Sequence, residues 1–418
     1  YSSYIFIGFN ALTPCEKKLF SYLKNSKQAE FYWDYDEYYL KSNEAGKFLR
    51  NNLKDFPGHN LDIYNNFQES KNIRYINTSY DVAQGKIIPE LLKDQAENNM
   101  KPNKSAIILP DEHLLLPVLN SIPKSFESVN VTMGYPVYLT PAYSLLLSLV
   151  SLQQNARNGD RGVRFYNKDV LSILNHQYLG ILRDNKTEEK INFIRKHNVV
   201  YIPLNELKLG GIQDHIFQVP ENFRTLSDYL MDNYYNFYRV LKERSTDENY
   251  DMKLELECIY HVYLAIKRLK EVFSLQSVEV KTETYLRIVA RVIQNQSIAF
   301  QGEPLAGLQV MGILETRALD FENLVILSMN EGIIPKAESN STFIPYHLRK
   351  GFGLPTYEYN DAIFAYYFYR IIQRAKNITL VYNSSSDGLQ AGEMSRFMHQ
   401  LKYESGYTIQ EKTVVSDV

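Results

Sequence analysis

Glu315, Thr316 and Arg317 stand just ahead of an apolar burst, Leu324 to Met329, and a glycine-containing turn ending in Pro335 stops that burst sharply. An acid, a hydroxyl and a guanidinium at the lip of a buried strand can hold a ligand at the strand edge. The same pattern also describes an ordinary buried strand with polar flanks. The elements around it have to decide between the two.

Other chemistries are excluded first. A phosphate loop needs GxxxxGK[ST]. The nearest dipeptide is Gly85-Lys86, but Tyr80 stands where the first glycine belongs and Ile87 where the hydroxyl belongs. No GxGxxG, HExxH or GxSxG is present. No two of the eight histidines have zinc-ligand spacing, and His176, His197 and His215 read as solvated or capping residues. Glu279-Val280-Lys281 matches the E-x-K half of a PD-(D/E)xK nuclease site, which needs a strand and an upstream aspartate to hold Mg²⁺. The nearest upstream aspartate is Asp251, with helical sequence between, so the match is read as chance.

Composition narrows the class. A chain of 418 residues predicts two to four domains. Formal net charge is -2, so no global basic field draws nucleic acid, although a local groove remains open. Cys15 and Cys258 are the only cysteines, which fits a reducing, cytoplasmic setting. No apolar stretch reaches membrane-spanning length, and no membrane partner is expected. The 33 tyrosines include many at helical spacing, as over Tyr229 to Tyr238, which favours packing over base stacking. The chain opens on Tyr1 and a core-like strand, YIFIGF, and so reads as cut from something longer.

Along the chain, residues 1–70 alternate strand and helix. YIFIGF reads as a buried strand, Thr13-Pro14 as an N-cap and first helical residue, and EFYWDYDEYY as a second strand-like run with acids at its end. IRYINT (73–78) and SAIILP (105–110) read as strands bracketing a helix at 81–99. Residues 141–295 carry long 3.6-residue periods and read as a helical insertion. GLQVMGIL, LVILSM, a helix at 360–376 and NITLVYN then resume the α/β pattern. The fold class is α/β with parallel sheets, split by a large all-helical insertion.

GLQVMGILETRALDFENLVILSMNEGIIP resembles the superfamily 1 DNA helicase segment LMTxHxxKGLEFxxVFLxGLxEGxFP. Gly312 stands at its Thr, Leu314 at its His, Arg317 at its Lys, Ala318 at its Gly and Asp320 at its Glu. FYRIIQRAKNITLVYN is similar to YVAxTRAxxxLxLxY, with Arg374 at the arginine-finger position. SAIILPDEHLLLPVLNSIP…VNVTMGYPV looks like the start of the second motor domain, with Pro110 at a phosphate-contacting arginine. YIFIGFNALTPCEKKLFSYL sits where the Walker B strand belongs, with Gly8 and Phe9 in place of its acids. The GFxxLTPxE form resembles the AddB-type, inactivated-helicase subunit of bacterial helicase–nuclease complexes.

The resemblance implies RecA-like (P-loop NTPase fold) helicase motor domains: a partial first one at 1–72, a second at 73–140 and 296–402, a 2B-like insertion at 141–295, and a tail at 403–418 leading toward a nuclease domain. It implies that Asp320 and Arg374 are vestigial nucleotide contacts, that ATP binding is vestigial or absent, and that Mg²⁺ belongs only to a nuclease domain outside this fragment. It implies DNA, single-stranded or a duplex end, and an AddA-like subunit as partners. Thr132, Gly134, Tyr135, Arg317 and Arg396 are the expected DNA contacts, and no catalytic residue is expected. A protein-interaction module without nucleic-acid contact and an active ATP-dependent helicase are the alternatives.

Overall fold

The computed structural model describes residues 3–58, 65–97, 101–126, 128–159, 162–181, 183–244, 250–275, 279–300, 307–337, 343–385 and 392–414. The chain forms two compact units, Tyr1–Met133 with Phe300–Val418, and Gly134–Ala299.

The first unit carries two sheets. The small one is a parallel pair, β1 (Tyr4–Ile7) and β2 (Ala29–Tyr32), joined by α1 (Pro14–Asn25). Thr13 and Glu16 close a capping box on α1, with Pro14 in its first turn, as the sequence predicts. The expectation that YIFIGF is a buried strand is corrected. Phe6 turns inward against Phe20 and Phe31, but period-2 alternation puts Ile5 and Ile7 on the other face, and both are exposed.

The large sheet has seven strands: β3 (Asn72–Thr78), β4 (Ser105–Ile108), β5 (Val129–Val131), β6 (Leu308–Met311), β7 (Asn323–Ile326), β8 (Asn377–Asn383) and β9 (Ile409–Val414). Their spatial order is β9-β3-β8-β7-β4-β6-β5, and every pairing is parallel. All four residues of β4, of β6 and of β7 are buried, as strands covered on both faces must be. The segment read as a tail supplies β9, an edge strand beside β3; its short, mostly exposed run, IQEKTV, gives no strong strand signal. The LVILSM run leaves regular strand geometry after Ile326 because Ser328 takes a φ of 50°. Leu327 and Met329 nevertheless still donate to Ile108 and Val381 on either side.

The second unit is predominantly helical. Pro141–Gln154, Phe223–Arg244, Tyr250–Leu275 and Thr282–Gln294 enclose an apolar core. It is not wholly helical. Arg157–Gly159, Gly162–Tyr166 and Tyr201–Pro203 form an antiparallel three-stranded sheet, too short to show a two-residue period between helical stretches. Gly134–Pro136 pairs antiparallel with Ser297–Ala299. There a Cβ on Gly134 would lie 2.7 Å from the Ser297 hydroxyl, so this close approach requires glycine. No helix among the described residues is long and apolar enough to cross a membrane.

Candidate functional site

β7 and β8 are parallel neighbours with Asn323 opposite Asn377. Asp320 and Arg374 each lie three residues ahead of those paired positions, so the register brings the two chain entries together at the N-terminal ends of two central strands. Arg374 caps the C-terminal end of α3 (Tyr357–Gln373), whose inner face is buried under the sheet through Phe368, Ile371 and Ile372. One turn earlier on the same helix face is Arg370. The fourth member, Asp34, follows β2 and arrives beside both guanidiniums.

These four residues form a closed ion-pair network. Arg370 Nε donates to Asp34 Oδ2, and Arg370 Nη1 donates to Asp320 Oδ1 at 2.7 Å. Arg374 Nη2 donates to Asp34 Oδ1 at 2.8 Å, and Arg374 Nη1 to Asp320 Oδ1 at 3.1 Å. The Arg370 side chain is 7% exposed and that of Asp34 23%, so this pair is held largely out of water, while Asp320 is 47% exposed. Burial pushes the Asp34 carboxyl up. The hydrogen bonds and charges of Arg374 and Arg370 outweigh it and hold Asp34 below the usual carboxylate range. Burial likewise works against the charge on both arginines, and the paired aspartates override it, raising both pKa values.

Neighbouring contacts tie the same helix end to the 34–39 segment. The Tyr366 hydroxyl donates to Asp34 O at 3.2 Å, and the Tyr39 hydroxyl to Gln373 Oε1 at 2.9 Å. Lys71 Nζ caps α3, donating to Gln373 O at 2.8 Å and Ala375 O at 2.9 Å, and burial draws its pKa down to about 8. The result is a fixed joint between the small sheet and the large one.

A cleft of about 440 Å³ opens beside this joint. Its walls include Gly8, Phe9, Glu16, Asp34, Arg317 and Arg370. Magnesium and a triphosphate would need free carboxylates and free guanidiniums here. At the end of β1, Gly8 and Phe9 offer no side-chain oxygen, and Phe9 packs edge-on against Phe6 and Phe20. Glu16 accepts from Thr13 N–H at 2.6 Å, and Asp34 is held by both arginines. Among the described residues, no three metal-ligating side chains cluster. This donor set does not fit a magnesium–nucleotide complex.

Thr316 and Arg317, just ahead of β7, line the same cleft. Arg317 lies over the Tyr367 ring at 5.0 Å, while Thr316 is buried and donates to Ile313 O at 2.7 Å. Ala318 takes a φ of 58°, a left-handed conformation that suits glycine. Ala318→Gly should therefore stabilise the chain by about 0.5 kcal/mol, the relief of roughly 1 kcal/mol of strain less the extra unfolded-state entropy of glycine. A urea-unfolding midpoint that stays put or falls would contradict this.

The other expected DNA contacts do not gather at the cleft. Thr132 is exposed and donates its N–H to Val310 O at 3.1 Å. Gly134 sits in the two-stranded ladder of the second unit. Tyr135 is 7% exposed, and burial pushes its hydroxyl up to about 12, so its ring offers no open stacking face. Arg396 is taken up by Glu331, with Nε at 2.8 Å from Oε1, and by Asp361 at 3.3 Å. Sequence reasoning missed Arg370 and Asp34. Arg370 was visible as the residue four before Arg374. Asp34 was visible as a carboxylate inside the aromatic run FYWDYDEYY, which must find a cation once buried.

With this geometry in view, comparison with known proteins gives a distant relative. The chain is 23% identical over 343 residues to the ATP-dependent DNA helicase Rep of Buchnera aphidicola subsp. Schizaphis graminum, covering 77% of this chain and 49% of that protein. It thus spans about half the length of the curated relative it matches. No family model matches the chain. The seven-stranded parallel sheet, together with this similarity, defines a helicase-like, RecA-type α/β fold.

Proposed function

We propose that this chain is a catalytically degenerate superfamily 1 helicase-like scaffold that binds DNA within an AddAB/RecBCD-like ATP-dependent exonuclease, acting in double-strand break repair. On this reading a separate AddA-like subunit supplies ATP-driven translocation, and nuclease chemistry resides in a PD-(D/E)xK domain outside this fragment. The observation that carries the loss of the engine is the closed Asp34–Arg370–Asp320–Arg374 network. It commits to internal partners the guanidiniums that a motor would aim at phosphate. The distant similarity to a DNA helicase supports the choice of nucleic acid as ligand.

A protein-interaction module without nucleic-acid contact is the second reading. The burial of Tyr135 and the neutralised Arg396 favour it. Titration of the whole protein with a fluorescent single-stranded oligonucleotide at several salt concentrations separates the two. The scaffold reading expects binding that weakens with salt, with a log–log slope of about −0.7 per phosphate contacted, and no ATP turnover by the protein alone. Absence of binding at low salt would select the interaction module, and steady ATP turnover would restore the helicase alternative.

A further inference from the structure

Helix α2 (Tyr346–Gly351) and its flanks run from Phe343 to Tyr357 with no buried residue. Phe343 is fully exposed and Phe352 is 80% exposed, one on each side of the helix. The Tyr346 and Tyr357 rings stack at 5.4 Å and 25°, with the Lys350 ammonium 5.7 Å above Tyr346. Four aromatic rings on 15 residues, two of them with no packing role, are unusual on a water-facing surface.

The charges on this stretch are of one sign. Arg349 and Lys350 lie within it, and it contains no aspartate or glutamate. Neither makes an ion pair among the described residues; Arg349 Nε donates to Pro355 O at 2.7 Å, which leaves its Nη groups for a ligand. The adjacent acid, Glu358, is engaged by the Tyr346 hydroxyl. Cations without counter-charge next to open aromatic faces are the two ingredients of sequence-tolerant recognition of single strands. Phosphates meet the cations, and bases stack on the rings. A protein partner would use the same rings, together with Leu348 and Leu354, but has no need of cations uncompensated by any acid.

We propose that residues 343–357 form a single-stranded nucleic-acid platform, with Phe343 and Phe352 as base-stacking faces and Arg349 and Lys350 as phosphate contacts. This rests on the DNA-binding reading above, and names a surface separate from the residues that reading started from.

The test is fluorescence anisotropy of a labelled oligo-dT 20-mer with the whole protein at 50 and 200 mM salt. Phe343→Ala with Phe352→Ala should weaken binding about thirty-fold. Phe343→Tyr with Phe352→Tyr should restore it, because tyrosine stacks as well. Lys350→Gln should reduce the magnitude of the log–log salt slope by about 0.7. Both phenylalanines are exposed, so the changes leave the core intact, which an unchanged thermal midpoint verifies. If the wild-type protein binds and the alanine pair binds equally well, the platform is wrong while the scaffold reading stands. If the wild-type protein does not bind, both fall. If the alanine pair abolishes self-association instead of oligonucleotide affinity, the surface is a protein contact and the proposal is overturned.

Discussion

Asp34→Asn is expected to destabilise the first unit by about 3 kcal/mol. Removing one partner of a buried ion pair leaves the other charge uncompensated, a loss of about 3–5 kcal/mol, and Asp320 here retains part of the compensation. Arg370 suffers most, because its side chain is 7% exposed and cannot reach bulk water. The sign of the pH dependence follows from the depressed Asp34 value. A carboxylate held below its unfolded pKa contributes stability that is full above that unfolded value, about 3.9, and lost as pH falls through the folded one. The gap between wild type and Asp34→Asn should therefore be constant from neutral pH down to about 5 and shrink in more acidic solution. Urea unfolding at pH 7, 5 and 3 measures it. A gap under about 1 kcal/mol at pH 7, or one that widens in acid, would show that the network carries no net stabilising charge.

How much of this was visible beforehand follows from what each signal depends on. β4, β6, β7 and β8 were legible because each is built round a short run rich in apolar residues, as strands largely covered on both faces must be. Asp320 and Arg374 were singled out through the helicase resemblance, whereas their meeting depends on the register of β7 and β8, which only the fold supplies. For Asp34 the aromatic run showed a carboxylate in need of a cation, but not which one, since its partners lie more than 300 residues away. The exposure of Ile5 and Ile7 was illegible for a related reason: hydrophobicity says that a face prefers burial, and only the arrangement of neighbouring elements says whether it is covered. Tyr135 shows the converse. Named as a DNA contact, it has its ring in the interior of the second unit, where Cys258 and Glu255 lie close enough to affect its hydroxyl. The small antiparallel sheet in that unit escaped because strands of three to five residues carry too few positions to show a period.

The second large effect tests whether the network stands where anionic ligand charge once stood. Asp34→Asn with Asp320→Asn removes both counter-charges and leaves two uncompensated guanidiniums, of which Arg370 lines a cleft of about 440 Å³. The pair should be less stable than wild type by about 4 kcal/mol, from the uncompensated buried cations and their mutual repulsion. An added polyanion can then take the place of the aspartates. Guanidinium forks bind phosphate oxygens bidentately, so tripolyphosphate should bind the amide variant and return about 2.7 kcal/mol at a concentration one hundred times its dissociation constant. The wild-type protein should gain nothing at the same concentration, because Asp34 and Asp320 already occupy the donors and repel the incoming charge. Sulfate at matched ionic strength controls for general screening. Equal stabilisation of wild type and variant by tripolyphosphate would mean that the cleft accepts phosphate with its aspartates in place, and the network would then be a support for a working nucleotide site instead of its replacement.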